Sequence, residues 1–417
     1  MTVGEEKMTR LSIFFLAVVS LSTSPGRFRA DEPGLKKVNL FEAGMYGYRH
    51  YRIPGVIVSP KGTIIVFCEA RSGGDWSTID ICMRRSFDGG ESWEKLRKIS
   101  EPPEKVQQNE AALKKGLAKP GEVTMNNPVM IPDTKTGAIH FLYCIEYARC
   151  YYRRSDDDGR TFSKAVDITS TFDLFRKDYN WRVIATGPGH GLRTRSGRLI
   201  VPVWLSDGSG GHAHRPSAVS VIYSDDRGGN WKRGELVAAD PGLKAQRAAG
   251  TPLLRNPGET AAVELQDGRI LLNLRNESAR RRRAISISAD GISGWSRYHF
   301  DEALVEPICM GSMVRLSEKP RYRKNRILFA NPHNPTSRTR QNVSVKLSYD
   351  EAKTWPVMKT IEAGPSGYSD LAVGSDGTIH CFYERGKTGS LTTFLCLATF
   401  RLEWLTGSED RLVTPSK

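Results

Sequence analysis

Ser86-Phe87-Asp88-Gly89-Gly90-Glu91-Ser92-Trp93 is the stretch whose reading decides the fold. Its skeleton is Ser-x-Asp-x-Gly-x-(Ser, Thr or Asn)-aromatic. The skeleton returns at Ser155, Asp157, Gly159, Thr161 and Phe162, and again at Ser224, Asp226, Gly228, Asn230 and Trp231. A degenerate fourth copy keeps Ser288, Asp290 and Trp295, with Ile292 where glycine is expected. A fifth keeps Ser348, Asp350, Thr354 and Trp355, with Ala352 for glycine. The leading serines are 69, 69, 64 and 60 residues apart. A period of that size is one multi-stranded β unit. Asp and Gly supply the chemistry of a tight turn, and the hydroxyls can bond its backbone. The aromatic ring is expected beneath the turn as a buried plug.

Working outward, strand-like runs flank every copy: 79–83, 141–145, 218–223, 284–287 and 343–347. Further β runs occupy 63–68, 199–204, 270–274 and 326–330. Long amphipathic helices are absent, and the best helix candidate is a short insert near 107–117. The stretch from Leu40 to Leu405 divides by six into units close to the observed period. These features predict an all-β chain, a six-bladed β-propeller. It forms one domain over residues 38–410, with the N- and C-terminal strands closing the ring.

The 417 residues are 39% hydrophobic and 26% charged, with 39 glycines, a globular and turn-rich composition. The formal charge of +15 is spread along the chain. No nucleic-acid motif accompanies it, so the charge reads as a basic surface whose field draws in anionic substrates. The dense run Arg280 to Arg283 reads as a solvated loop. Lys7 and Arg10 precede an apolar run, 11–23, that is too short to span a bilayer. Residues 1–30 therefore read as a signal peptide. The expectation is a secreted or periplasmic protein without stable membrane insertion. Seven cysteines at irregular spacing make neither a disulfide framework nor a zinc site; several sit inside apolar runs such as Ile64 to Cys68 and read as small hydrophobes.

Polar residues at strand ends, with no packing reason to be there, are the candidates for chemistry. They are Arg52 in Tyr51-Arg52-Ile53-Pro54, and Arg71 and Asp75 in the glycine-rich stretch Glu69 to Trp76. They continue with Glu259 after Pro257-Gly258, Arg275 at the end of an apolar run, and Arg338 and Arg340 before the fifth turn motif. Tyr368 in Gly367-Tyr368-Ser369-Asp370 and Glu384 in Tyr383-Glu384-Arg385 complete the set.

In order and spacing, from Arg52 to Arg385, these segments resemble the sialidase (neuraminidase) family, and the turn motifs resemble its Asp-boxes. The resemblance implies that Arg52, Arg275 and Arg340 grip a sialic acid carboxylate, with Arg338 left open as the alternative to Arg340. It implies that Tyr368 is the nucleophile, Glu259 its partner, Asp75 the acid/base, Arg71 a supporting arginine and Glu384 the brace of Arg52. Asp80 competes with Asp75, and Glu264 with Glu259. His190, in Gly187-Pro188-Gly189-His190-Gly191, is read as structural rather than catalytic. Trp76 is a candidate to face the sugar's N-acetyl group. The insert 101–122 has no family counterpart; it either covers the pocket or decorates a blade edge.

The chemistry suits this set. Three guanidinium groups can hold a carboxylate by charge-assisted, partly bidentate bonds. A carboxylate nucleophile would be repelled by the substrate's own carboxylate. A neutral tyrosine is not, although its usual pKa near 10 demands a nearby base. The expected activity is retaining hydrolysis of terminal α-linked sialic acid from a glycan, without metal or cofactor. The alternatives are a trans-sialidase, a hydrolase of the deaminated sugar, or a propeller that only binds glycans. Nucleic acid is not an expected partner.

Overall fold

The computed structural model describes residue 1 and residues 32–242, 253–387 and 390–414. The expected signal peptide, 1–30, lies outside the described residues apart from Met1. Among the described residues no helix is long and apolar enough to cross a membrane.

The all-β expectation holds. The first sheet pairs His50–Val58, Ile64–Arg71, Ile79–Ser86 and Arg97–Lys98 in sequence order. The second is built on Met125–Pro132, Ile139–Ile145 and Arg149–Ser155, with Gly189–His190 joining its first strand in parallel. The third centres on Leu199–Ser206 and Ser217–Ser224, and the fourth runs Thr260–Glu264, Ile270–Leu274, Arg282–Ser288 and His299–Val305. A seven-stranded sheet follows, and its longest strand, Val357–Val373, belongs to two neighbourhoods. Its first half pairs with Gln341–Ser348. Its second half pairs with Ile379–Lys387, which pairs in turn with Ser390–Phe400. The strand Leu35–Glu42 completes that group by pairing antiparallel with Ser390–Phe400, joining the two ends of the chain. Every strand read from the sequence is present. Most extend further, because backbone pairing continues past the apolar residues that signal them.

Each turn motif lies at the end of the third strand of its group, and its hydrogen bonds repeat. Ser86 Oγ donates to Asp88 Oδ1 (2.8 Å), Gly90 N to Ser86 Oγ (2.8 Å) and Ser92 Oγ to Asp88 Oδ2 (2.5 Å). In the fourth copy the loop is one residue shorter, which corrects the alignment to Ile292. Gly291 adopts the left-handed φ of 75° and donates to Ser288 Oγ (3.0 Å), while Ser293 takes the hydroxyl position. In the fifth, Ala352 accepts the strained φ of 63°. The aromatic plugs are less buried than expected. Only Trp231 falls to 8% exposure, while Trp93, Phe162, Trp295 and Trp355 are half-buried.

The predicted insert helix is the single turn Glu110–Lys114, capped by Asn109, whose side chain accepts from Ala111 N. All seven cysteines are free and buried, including those outside apolar runs. Arg283 departs from its reading as part of a solvated loop. It is the buried second residue of the strand Arg282–Ser288, where alternation turns it inward.

Lys346 is a buried cation with no carboxylate in hydrogen-bond reach among the described residues. Lys346 Nζ donates to Asn331 Oδ1 (3.1 Å), and burial pushes the ammonium down to about 7. An unfolded lysine titrates near about 10.4. Between these values the unfolded chain holds a proton that the folded chain lacks, so stability rises with pH across that window. Lys346→Met is therefore expected to stabilise the protein more at about pH 6 than at about pH 9.5, as measured by urea unfolding at each pH.

Candidate active site

The sheets bring their polar strand ends to one cavity of about 190 Å³. Its lining includes Arg52, Arg71, Asp75, Glu259, Arg275, Arg340 and Tyr368. Local backbone irregularity aims these side chains. The pairing register shifts between Arg52 and Gly55, between Asn126 and Val129, and between Ser366 and Ser369. Ile53 and Asn127, inside two of these bulges, are non-glycine residues with φ of 58° and 52°. Bulges re-aim side chains, and strain of this kind persists only where surrounding contacts hold it.

Tyr368 is at the centre. Its hydroxyl donates to Glu259 Oε1 (2.6 Å) and accepts from Arg275 Nη1 (2.7 Å). Arg275 Nη1 also bonds Glu259 Oε2. The guanidinium carbons of Arg340, Arg52 and Arg275 lie 5.0, 5.1 and 6.0 Å from the centre of the Tyr368 ring. Burial pushes the phenol's pKa up, against the pull of these cations.

Glu384 braces Arg52, accepting Nε at Oε1 (2.9 Å). The same carboxylate accepts the Tyr368 backbone N at Oε2 (3.1 Å), tying the arginine to the tyrosine. Burial opposes ionisation of Glu384, but Arg52 holds its pKa below the usual value. Arg71 is fixed by Glu69, which accepts Nε (2.7 Å) and, through its other oxygen, Asn127 N (2.7 Å). Arg71 Nη1 then meets Asp75 Oδ1 at 2.5 Å, with Arg52 Nη1 4.0 Å from the same oxygen. Burial alone would raise the Asp75 carboxyl; Arg71 and Arg52 instead hold it well below the usual carboxylate range.

The structure thus unites all eight residues named from the sequence and separates their competitors. Arg338 turns away and donates to the backbone oxygens of Ser278 (2.7 Å), Glu277 (3.2 Å) and Glu306 (3.3 Å). Arg340 donates from Nη2 to Ile308 O (2.5 Å) and has no carboxylate partner among the described residues. Asp80 pairs with Tyr48 (2.7 Å) and Lys98 (2.6 Å), and Glu264 with Arg195 (3.1 Å), outside this cavity. His190 is structural: Nδ1 meets Asp370 Oδ1 at 2.7 Å and Nε2 meets Met313 O at 3.1 Å.

Trp76 does not line the cavity, which corrects its reading. It is buried behind Tyr147 and His214, with ring centres 4.7 and 5.5 Å away. Tyr147, Trp204 and His214 form the wall itself, and burial lowers the His214 imidazole to about 4, leaving it neutral. The insert neither covers the pocket nor merely decorates an edge. Ala112 and Ala118 pack into the apolar cluster that contains Trp76, Tyr147 and Trp204. A second, polar wall of Arg215, Asn256 and Glu277 was not identified from the sequence. The signal available for Glu277 is a carboxylate three residues past the strand Ile270–Leu274, close after Arg275.

Comparison with known proteins adds the lineage. The family model described as a BNR repeat-like domain matches residues 101–381, more than half of the chain. The chain belongs to the BNR repeat-like family. A sialidase of Micromonospora viridifaciens is 28% identical over 94% of this chain and 57% of its own length. A sialidase of Bacteroides fragilis is 26% identical over 83% of this chain and 62% of its own. The chain thus spans less than two thirds of either relative. A solved Hadza microbial sialidase superposes with a TM-score of 0.69 at 24% identity, covering 88% of this chain and 69% of that one. The resemblance to the sialidase family drawn from the residues is borne out.

Behind Arg340, Arg283 Nη1 and Glu306 Oε2 form a fully buried ion pair at 2.6 Å, and Glu306 Oε1 accepts Cys309 N (3.0 Å). This pair shapes the loop that carries the Ile308 carbonyl. Arg283→Met leaves the Glu306 charge buried and unpaired, and is expected to cost about 3–5 kcal/mol of stability. Adding Glu306→Gln should recover a large part of that loss, measured as the coupling energy in a urea-unfolding double-mutant cycle.

Proposed function

We propose that this chain is an exo-α-sialidase that removes terminal sialic acid from glycans with retention of configuration. The observation that carries this reading is the Tyr368–Glu259 hydrogen bond of 2.6 Å beneath three arginines. Arg52, Arg275 and Arg340 would hold the substrate carboxylate. Arg340 contributes most of the unmet charge, since Glu384 and Glu259 already offset the other two.

Tyr368 would attack the anomeric carbon while its proton passes to Glu259. Because burial disfavours free phenoxide, the transfer must accompany the attack. Asp75 would protonate the departing oxygen and then take a proton from the attacking water, while Glu259 returns its proton to the Tyr368 oxygen as the bond to the anomeric carbon breaks. Arg71 and Arg52 keep Asp75 ionised in the free chain. A substrate carboxylate on Arg52 weakens that field and excludes water, which raises the Asp75 pKa and lets it take up a proton.

We also infer that the catalytic unit, residues 38–410, is a six-bladed propeller. This rests on the turn-motif period and on six successive antiparallel strand groups, two of which share Val357–Val373. Export by residues 1–30 rests on the order of Lys7, Arg10 and the apolar run that follows. N-terminal sequencing of exported protein should find a start before Glu32 and after the apolar run; an N-terminus that still carries Lys7 or Arg10 and that run would rule out cleavage.

Wild-type protein should release 4-methylumbelliferone from its α-sialoside, and Tyr368→Phe should lose several orders of magnitude in kcat. Asp75→Ala should lose far more on sialyllactose than on this aryl substrate, because an alkoxide leaving group depends on proton donation and an aryl oxide much less. No wild-type turnover from acid to neutral pH, with the deaminated analogue included, would overturn the hydrolase reading.

A further inference from the structure

The irregular cysteine spacing conceals a pair that the fold brings face to face. Cys144 lies near the end of Ile139–Ile145 and Cys150 near the start of Arg149–Ser155, directly opposite one another. Both are fully buried. Cys150 spends its backbone groups on its other neighbour: its N donates to Thr169 Oγ1 (3.0 Å) and its O accepts Ile168 N (2.9 Å). In an antiparallel ladder both groups of a residue face one side, so Cys144 and Cys150 form a non-hydrogen-bonded pair. Such pairs bring the side chains closest, with Cα atoms about 4.5 Å apart, inside the roughly 4.4–6.8 Å that a disulfide spans. The thiols already meet: burial, and the Cys144 thiol bonded to it, push Cys150 well above the usual thiol range. Cys68 and Cys82 also stand opposite one another, but the Cys82 thiol meets the Tyr48 side chain instead.

The pair closes the base of a hairpin that serves the catalytic cavity. The tip residues Glu146 and Tyr147 adopt left-handed φ of 56° and 47°, strained positions for non-glycine residues. Tyr147 lines the cavity. The Glu146 carboxylate accepts Thr124 N (2.7 Å) and Asn109 N (3.2 Å), which secures the insert. Strain of this kind persists only in a rigid surround, and a covalent tie between Cys144 and Cys150 would supply one.

We propose that Cys144 and Cys150 form a cross-strand disulfide that staples this hairpin and fixes Tyr147 in the cavity wall. The two thiols give up two protons and two electrons as the S–S bond forms. A disulfide oxidant takes these up and leaves as two thiols. Export, inferred above, would bring the chain to a compartment that holds such oxidants. Because both cysteines are sealed from solvent in the finished fold, the bond forms before the hairpin is covered. The proposal is independent of the reaction that the cavity performs.

The test is peptide mapping without reductant. The chain is exported behind an established bacterial signal in place of residues 1–30, then denatured, alkylated and digested with trypsin. Cleavage after Arg149 separates the two cysteines. The expected product is the peptide 136–149 linked to the peptide 150–153. Full alkylation of Cys144 and Cys150, or linkage of either to another cysteine, would overturn the proposal. Urea unfolding of the exported protein gives a second readout. Cys144→Ala and Cys150→Ala should each lower the midpoint as much as the double variant does, because one missing partner already removes the bond. Additive losses, expected of two independently packed thiols, would count against the disulfide.

Discussion

A buried carboxylate near the convergence of the sheets is the interaction on which much of the site depends. Asp370 is 1% exposed. Its Oδ2 accepts Val56 N (2.9 Å), and its Oδ1 meets Ser312 Oγ (2.8 Å) and His190 Nδ1 (2.7 Å). One side chain thereby ties together strands of the first, second and seven-stranded sheets. Leaving such a carboxylate unpaired would be prohibitive, so the strands that satisfy it are locked in mutual register. Gly189 shows how tight the junction is: a Cβ there would stand 3.1 Å from Asp370 Cγ and 2.6 Å from Met310 Cε. Tyr368 lies two residues from Asp370 on the same strand and inherits its placement.

Above that junction the site is an exercise in charge compensation. Glu384 offsets Arg52, Glu69 and Asp75 offset Arg71, Glu259 offsets Arg275, and Glu277 offsets Arg215. Arg340 alone of the three arginines around Tyr368 is left to a carbonyl among the described residues. The arrangement holds several cations close together without collapse and leaves an attraction for one incoming anion. The net basic charge of the chain acts in the same direction over longer range.

The lineage, the all-β class and the eight residues that gather at the cavity can be read from the chain. Each strand announces itself by apolar runs, and each turn by the Asp and Gly that its geometry demands. Errors arise where a side chain's neighbours come from distant segments. Trp76 sits in a glycine-rich loop and looks free to meet a ligand, but Tyr147 and His214, far away in sequence, stand in front of it. Arg283 looks like part of a solvated basic run, yet Glu306 waits for it inside. The polar wall of Glu277 escapes notice because its partners, Arg215 and Asn256, lie 62 and 21 residues away.

What the sequence determines by itself is local: the turn period, the strand cores, and the residue types gathered at strand ends. Those depend on backbone preferences and on side-chain chemistry within a few residues. Only the tertiary structure decides between Arg340 and Arg338, whose spacing along the chain is equivalent. The register shifts around Gln341 and the Ile308 carbonyl turn Arg340 toward Tyr368, while the carbonyls of Ser278 and Glu306 draw Arg338 away. The physical reason is that hydrogen-bond partners for a long, flexible side chain are set by whatever backbone the fold brings beside it.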